Sequence, residues 1–206
     1  MNTRFVRLVP LAGIAYLVLE VAGNGSIGSF PDGDATIGKL LPFYAKHHSG
    51  IARGGALLHY AAIALALLAV ALWARLRDSG VNPVLSAVAL IGAAIATADE
   101  LSGAAVYSTL GFIGGKEQVI APAALQAWHV NGAGGGAITG DGGLALLLVA
   151  VAIAGISARA FPKWLAWSAL PLGLLQLTPL GFFAQLVFWL WAAAAGSYLA
   201  LRPRTA

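Results

Sequence analysis

A polytopic bundle of transmembrane helices, all-α in class, is the fold this sequence predicts. Three observations carry the prediction. Of the 206 residues, 59% are hydrophobic and only 10% are charged, where soluble domains carry roughly 25% charged residues. The apolar residues fall in runs of helical length, too long and too continuous for the alternating strands of an outer-membrane barrel. Lipid then removes the remaining choice, because only helices and closed barrels satisfy their own backbone groups there.

Six helices follow in order within one domain, residues 1–206. The first covers about residues 5–23, behind Arg4 and Arg7. A basic start and a short apolar run also fit a secretory signal, but Glu20 interrupts the late apolar part and favours a span. Residues 24–46 read as a loop, with an interfacial turn over 37–44 anchored by Phe43 and Tyr44. The second helix runs over 47–75 and closes on Arg75 and Arg77. A tight connection ending in Pro83 leads into the third, 84–113. The fourth, 120–158, starts with Pro122 in its first turn, where a missing N–H costs nothing. Its middle is glycine-rich. Gly132, Gly136 and Gly140 have the small-xxx-small spacing that lets helices approach closely, or the segment is unwound and lines a cavity. The fifth and sixth helices cover 162–179 and 182–201.

Basic residues orient the bundle. With both termini cytoplasmic, Arg4, Arg7, Arg75, Arg77, Arg159, Lys163, Arg202 and Arg204 lie inside. Lys39, Lys46, Arg53 and Lys116 lie outside. That asymmetry follows the positive-inside rule and predicts a multi-pass protein of the cell's inner (plasma) membrane. It also accounts for the net charge of +4 without a nucleic-acid partner. The absence of Cys excludes disulfides and thiolate chemistry. Lys116 and its upstream glycines lack phosphate-loop spacing, and there is no nucleophile elbow or His-Glu-x-x-His pair.

Asp99 and Glu100 stand in the middle of the third apolar run. A carboxylate at that depth costs at least ~2.5 kcal/mol unless it is neutral, paired or hydrated. Counting from each helix's basic flank at about 1.5 Å per residue puts Asp99 and His59 about 24 Å deep. Glu20, Asp141, Gln176 and Gln185 come out between about 20 and 27 Å. Every predicted helix thus offers one polar side chain at a similar level. The layer is either mutual glue between helices or one pocket open toward the outer leaflet. Asp99 and Glu100 cannot share a direction, so one is expected to pair with Arg53 or His59. The other is expected to be neutral, because burial disfavours the carboxylate.

The motif Phe161-Pro162-Lys163-Trp164-Leu165-Ala166-Trp167, followed by Phe188-Trp189-Leu190-Trp191, resembles a group of bacterial, often actinobacterial, integral membrane proteins of about this length. Tyr44, His47 or His48, and Leu76-Arg77 fit the group's second-helix pattern. Lys163 and Ala166 depart from its usual Arg and Gly. The group has no defined activity, so the resemblance implies a fold and assigns no catalytic residue.

The expected function is membrane-embedded acid/base chemistry on a lipophilic small molecule such as an isoprenoid: cyclisation, isomerisation or epoxide opening. Asp99 or Glu100 is the candidate acid, with Glu20, His59 or Asp141 as base or orienter. Arg53, Tyr60, Tyr107, Trp128, His129, Gln176 and Gln185 are the candidate substrate contacts, the aromatic rings serving cationic intermediates. A proton-coupled transporter and a non-catalytic lipid- or cofactor-binding subunit remain open. The expected partners are membrane lipids, the lipophile and possible further copies in a homo-oligomer. No cofactor is expected, although Glu20, His59, Asp99, Glu100 and Asp141 are suitable ligand types for a metal.

Overall fold

The computed structural model describes residues 9–32, 34–114, 121–130 and 142–201. After a 3-10 turn (Val9–Leu11) come α1 (Ala12–Ile27), α2 (Ile37–Asp78), α3 (Pro83–Gly114), α4 (Pro122–Val130), α5 (Gly142–Ala158), α6 (Lys163–Leu175) and α7 (Gly181–Leu201). No strand occurs among the described residues. Three of the helices, α2, α3 and α7, are long and apolar enough to cross a membrane. At 1.5 Å per residue they measure about 63, 48 and 31 Å, against a hydrocarbon core of about 30 Å. The helices α1 and α5 are shorter but also apolar.

The boundaries differ from the sequence reading in two places. Residues 37–46, expected as loop and turn, are the first turns of α2. Pro42 lies inside that helix, exposed, and forgoes one backbone bond. Of the expected fourth helix, 120–158, the described residues carry α4 and α5, and residues 131–141 between them lie outside the described residues. Gly132, Gly136 and Gly140 lie outside the described residues. Finally, α6 stops at Leu175 rather than 179, and residues 176–180 form turns. Thr178 stabilises this corner by donating its hydroxyl to the Leu175 carbonyl and accepting the Leu180 amide.

The packing forms a ring. The long α2 lies between α1 and α3, α3 packs on α5, α5 on α6, and α7 returns to both α6 and α1. Glycines permit the closest approaches. A Cβ on Gly92 of α3 would lie 2.6 Å from the Leu147 amide nitrogen and 2.7 Å from the Gly143 carbonyl of α5. One end of the ring is basic. Arg75 donates from Nε to the Ala160 carbonyl at 3.0 Å, which puts the end of α2 beside the α5–α6 connection carrying Arg159 and Lys163. Arg77 stacks over Trp73 at 4.8 Å.

The interior toward that basic end is one apolar cluster that includes Leu65, Leu68, Leu72, Leu144, Leu148, Phe188 and Trp191. Tyr16 closes the cluster, fully buried, its ring edge-on to Phe188 at 5.8 Å. Its hydroxyl points the other way, into the polar centre.

Candidate glutamate centre

The polar centre is built on α1, α3, α7 and the end of α6. Tyr16 donates its hydroxyl to Glu100 Oε1 at 2.5 Å. Gln185 donates from Nε2 to the Tyr16 oxygen at 3.2 Å, and Gln176 donates to Gln185 Oε1 at 3.4 Å. Tyr16 and Glu20 are four residues apart and so share a face of α1. Glu20 is 4% exposed, and its carboxyl lies in hydrogen-bonding contact with that of Glu100. Asn24, a further turn along, donates to Glu20 Oε2 at 3.1 Å and to the Glu20 carbonyl at 2.9 Å. Glu20 Oε1 is buried and receives no donor.

Two facing carboxyls among neutral donors make an unusual electrostatic problem. The partners found for them, Tyr16 and Asn24, are uncharged. Two carboxylates at contact distance repel, whereas a carboxyl and a carboxylate share one proton and attract.

Above this centre, away from the basic end, lies an aromatic layer. Phe30 stacks on Tyr107 at 5.6 Å and 20°, and Phe43, Tyr44 and His129 surround it. Tyr107 follows Glu100 by seven residues, two turns further along the same face of α3. His129 is fully buried and fixes α4 to this layer. Its Nε2 lies 3.0 Å from the Asp32 carbonyl, which can only accept, so Nε2 carries the hydrogen. Its Nδ1 then accepts from the Tyr44 hydroxyl at 2.9 Å.

The candidate residues therefore divide. The structure brings together Glu20, Glu100, Gln176 and Gln185, with Tyr107 nearby. It separates Asp99, which is exposed on the adjoining face of α3. The Nδ1 of His59 donates to the Gly55 carbonyl of its own helix at 2.9 Å. One acid is expected from the sequence to pair with Arg53 or His59; the partner described for Glu100 is the Tyr16 hydroxyl, and Arg53 is exposed. Tyr60 and Trp128 are 61% and 42% exposed. His129 belongs to the aromatic layer, and Asp141 lies outside the described residues. Among the described residues no three His, Cys, Asp or Glu side chains gather as metal ligands would.

Sequence reasoning missed Tyr16 and Asn24. Depth counted at the backbone places Tyr16 about 12 Å below Glu100, more than two helical turns, so the count gave no reason to pair them. The four-residue spacing Tyr16-Glu20-Asn24 along one face was the available signal.

No family model, curated protein or solved structure matches the chain. Its chemistry is read from its own residues.

Proposed function

We propose that the protein is a six-span protein of a bacterial inner membrane, with both termini cytoplasmic, that performs acid/base chemistry on a lipophilic small molecule. The observation carrying this reading is the pairing of buried Glu20 with half-buried Glu100, one carboxyl oxygen of Glu20 being left without a donor. One proton shared by the pair satisfies both hydrogen bonding and charge. It also makes one member an acid and the other a base, which isomerisation requires. The acid protonates an alkene carbon, the carboxylate removes a proton from a neighbouring carbon, and the pair returns to its starting state with no co-reactant. Tyr107 and Phe30 supply ring faces for the cationic intermediate. The apolar floor beneath Tyr16 speaks against a proton-coupled carrier, which needs a polar route onward.

The test is solvent deuterium. Purified protein in D2O, given isoprenoid alkenes and epoxides, should place deuterium on carbon in an isomeric product. The Glu20→Gln and Glu100→Gln variants should lose this by about 100-fold or more. No incorporation by the wild type across the panel would sink the reading.

A further inference from the structure

Two charged residues lie on α3, Asp99 and Glu100. Glu100 bonds Tyr16 in the interior. Asp99 is exposed, and so is Ser102, one turn further on. Neither side chain has a hydrogen-bond partner among the described residues. Ser26 and Ser157 close their hydroxyls onto the carbonyl four residues back, at 2.8 and 2.7 Å. Ser102 does not.

Free polar groups are ordinary on a surface that water covers. The outer face of α3 is a different case. This helix is long and apolar enough to cross a membrane, and of the three such helices it is the least enclosed by its neighbours. Counted from Pro83, Asp99 stands about 24 Å and Ser102 about 28 Å into a hydrocarbon core of about 30 Å. Lipid tails offer no partner there, and an acid facing them is costly.

The surrounding residues leave a partner room to approach. Ala94, Ala98 and Ser102 recur at four-residue intervals, with Ile95 and Asp99 beside them, and all five are exposed. Such spacings share a helix face. Small residues there bring a second helix within reach of short polar side chains.

We propose that this strip of α3 pairs with the same strip of a second copy of the chain. A copy inserted in the same direction presents its strip at the same depth, related by a two-fold axis along the membrane normal. Asp99 and Ser102 are about 4.5 Å apart in depth. The Ser102 hydroxyl of each copy then donates to the Asp99 carboxyl of the other, two bonds by symmetry. A foreign helix would need a matching donor and acceptor at this depth, whereas a second copy carries both by identity. The pairing rests on α3 spanning the membrane and is independent of the acid/base reading.

The experiment uses the full chain, which has no cysteine of its own, in native membranes. Ile95→Cys and Ala98→Cys, oxidised with copper phenanthroline, should give a disulfide product of twice the chain's mass. Ile63 of α2 and Leu190 of α7 are exposed at the same counted depth as Ile95, about 18 Å. Ile63→Cys and Leu190→Cys are the controls and should stay monomeric. Self-association is then read by energy transfer between labelled copies in lipid vesicles. Asp99→Ala and Ser102→Ala should each weaken it by about 3- to 10-fold, the range of one or two bonds between membrane helices. Asp99→Asn, which keeps an acceptor, should retain it. Ala98→Ile should weaken it by bulk alone. All these positions are exposed in the single chain, so the variants spare its interior. Equal crosslinking at all four cysteine positions, a crosslinked product of any other mass, or unchanged self-association in Asp99→Ala overturns the proposal. Crosslinking at Ile95 and Ala98 in a protein that incorporates no deuterium supports the pairing and sinks the acid/base reading alone.

Discussion

Tyr16 and Glu100 sit on helices held apart by α2, yet their oxygens are 2.5 Å apart. The bond crosses the ring at the boundary between its apolar floor and its polar centre. Tyr16→Phe removes both the donor to Glu100 and the acceptor for Gln185 while keeping the ring against Phe188. The expected loss is about 1 kcal/mol of stability, the range found for side-chain bonds between membrane helices. SDS-driven unfolding checks it. A variant as stable as the wild type would mean that the bond contributes nothing.

The two adjacent acids of α3 should behave as unlike residues. Asp99 is exposed and Glu100 bonds Tyr16. Asp99→Asn should change stability by no more than about 0.5 kcal/mol and leave turnover intact, whereas Glu100→Gln abolishes it. Equal losses in the two variants would place the chemistry elsewhere.

The α3–α5 contact depends on a missing side chain. At Gly92 a Cβ meets the backbone of Gly143 and Leu147 within 2.7 Å, and backbone cannot rotate aside. Gly92→Val should cost about 1–3 kcal/mol or more and lower the melting temperature in detergent. Gly103, where a Cβ meets nothing within 4 Å, is the control: Gly103→Val should be tolerated.

Orientation is testable because the chain has no cysteine of its own. Asp34→Cys, in the loop before α2, should react with an impermeant maleimide on intact cells. Asp78→Cys, at the basic end, should react only after permeabilisation. The reverse pattern would invert the proposed topology.

Much of the helical frame was legible because lipid allows few alternatives to long apolar runs. The start of α2 was not. Lys39, Pro42, Lys46 and the surrounding polar residues read as a loop, yet α2 extends past the width of a hydrocarbon core and need not be apolar there. The depth count found Glu20, Glu100, Gln176 and Gln185, since polar groups at one level tend to find each other. It could not separate Asp99 from Glu100, because neighbours in sequence share a depth and differ only in direction. Nor could it say what His59 bonds. That ring satisfies itself on the Gly55 carbonyl, an option depth does not reveal.

The pairing of Glu20 with Glu100 through one proton is the claim on which the proposed chemistry depends, and infrared spectroscopy of the protein at neutral pH tests it most directly. A shared proton predicts a carboxylic-acid C=O stretch that shifts in D2O, changes in Glu20→Gln and in Glu100→Gln, and vanishes in the double variant. A wild-type spectrum without that band, or with one that the double variant retains, would contradict it.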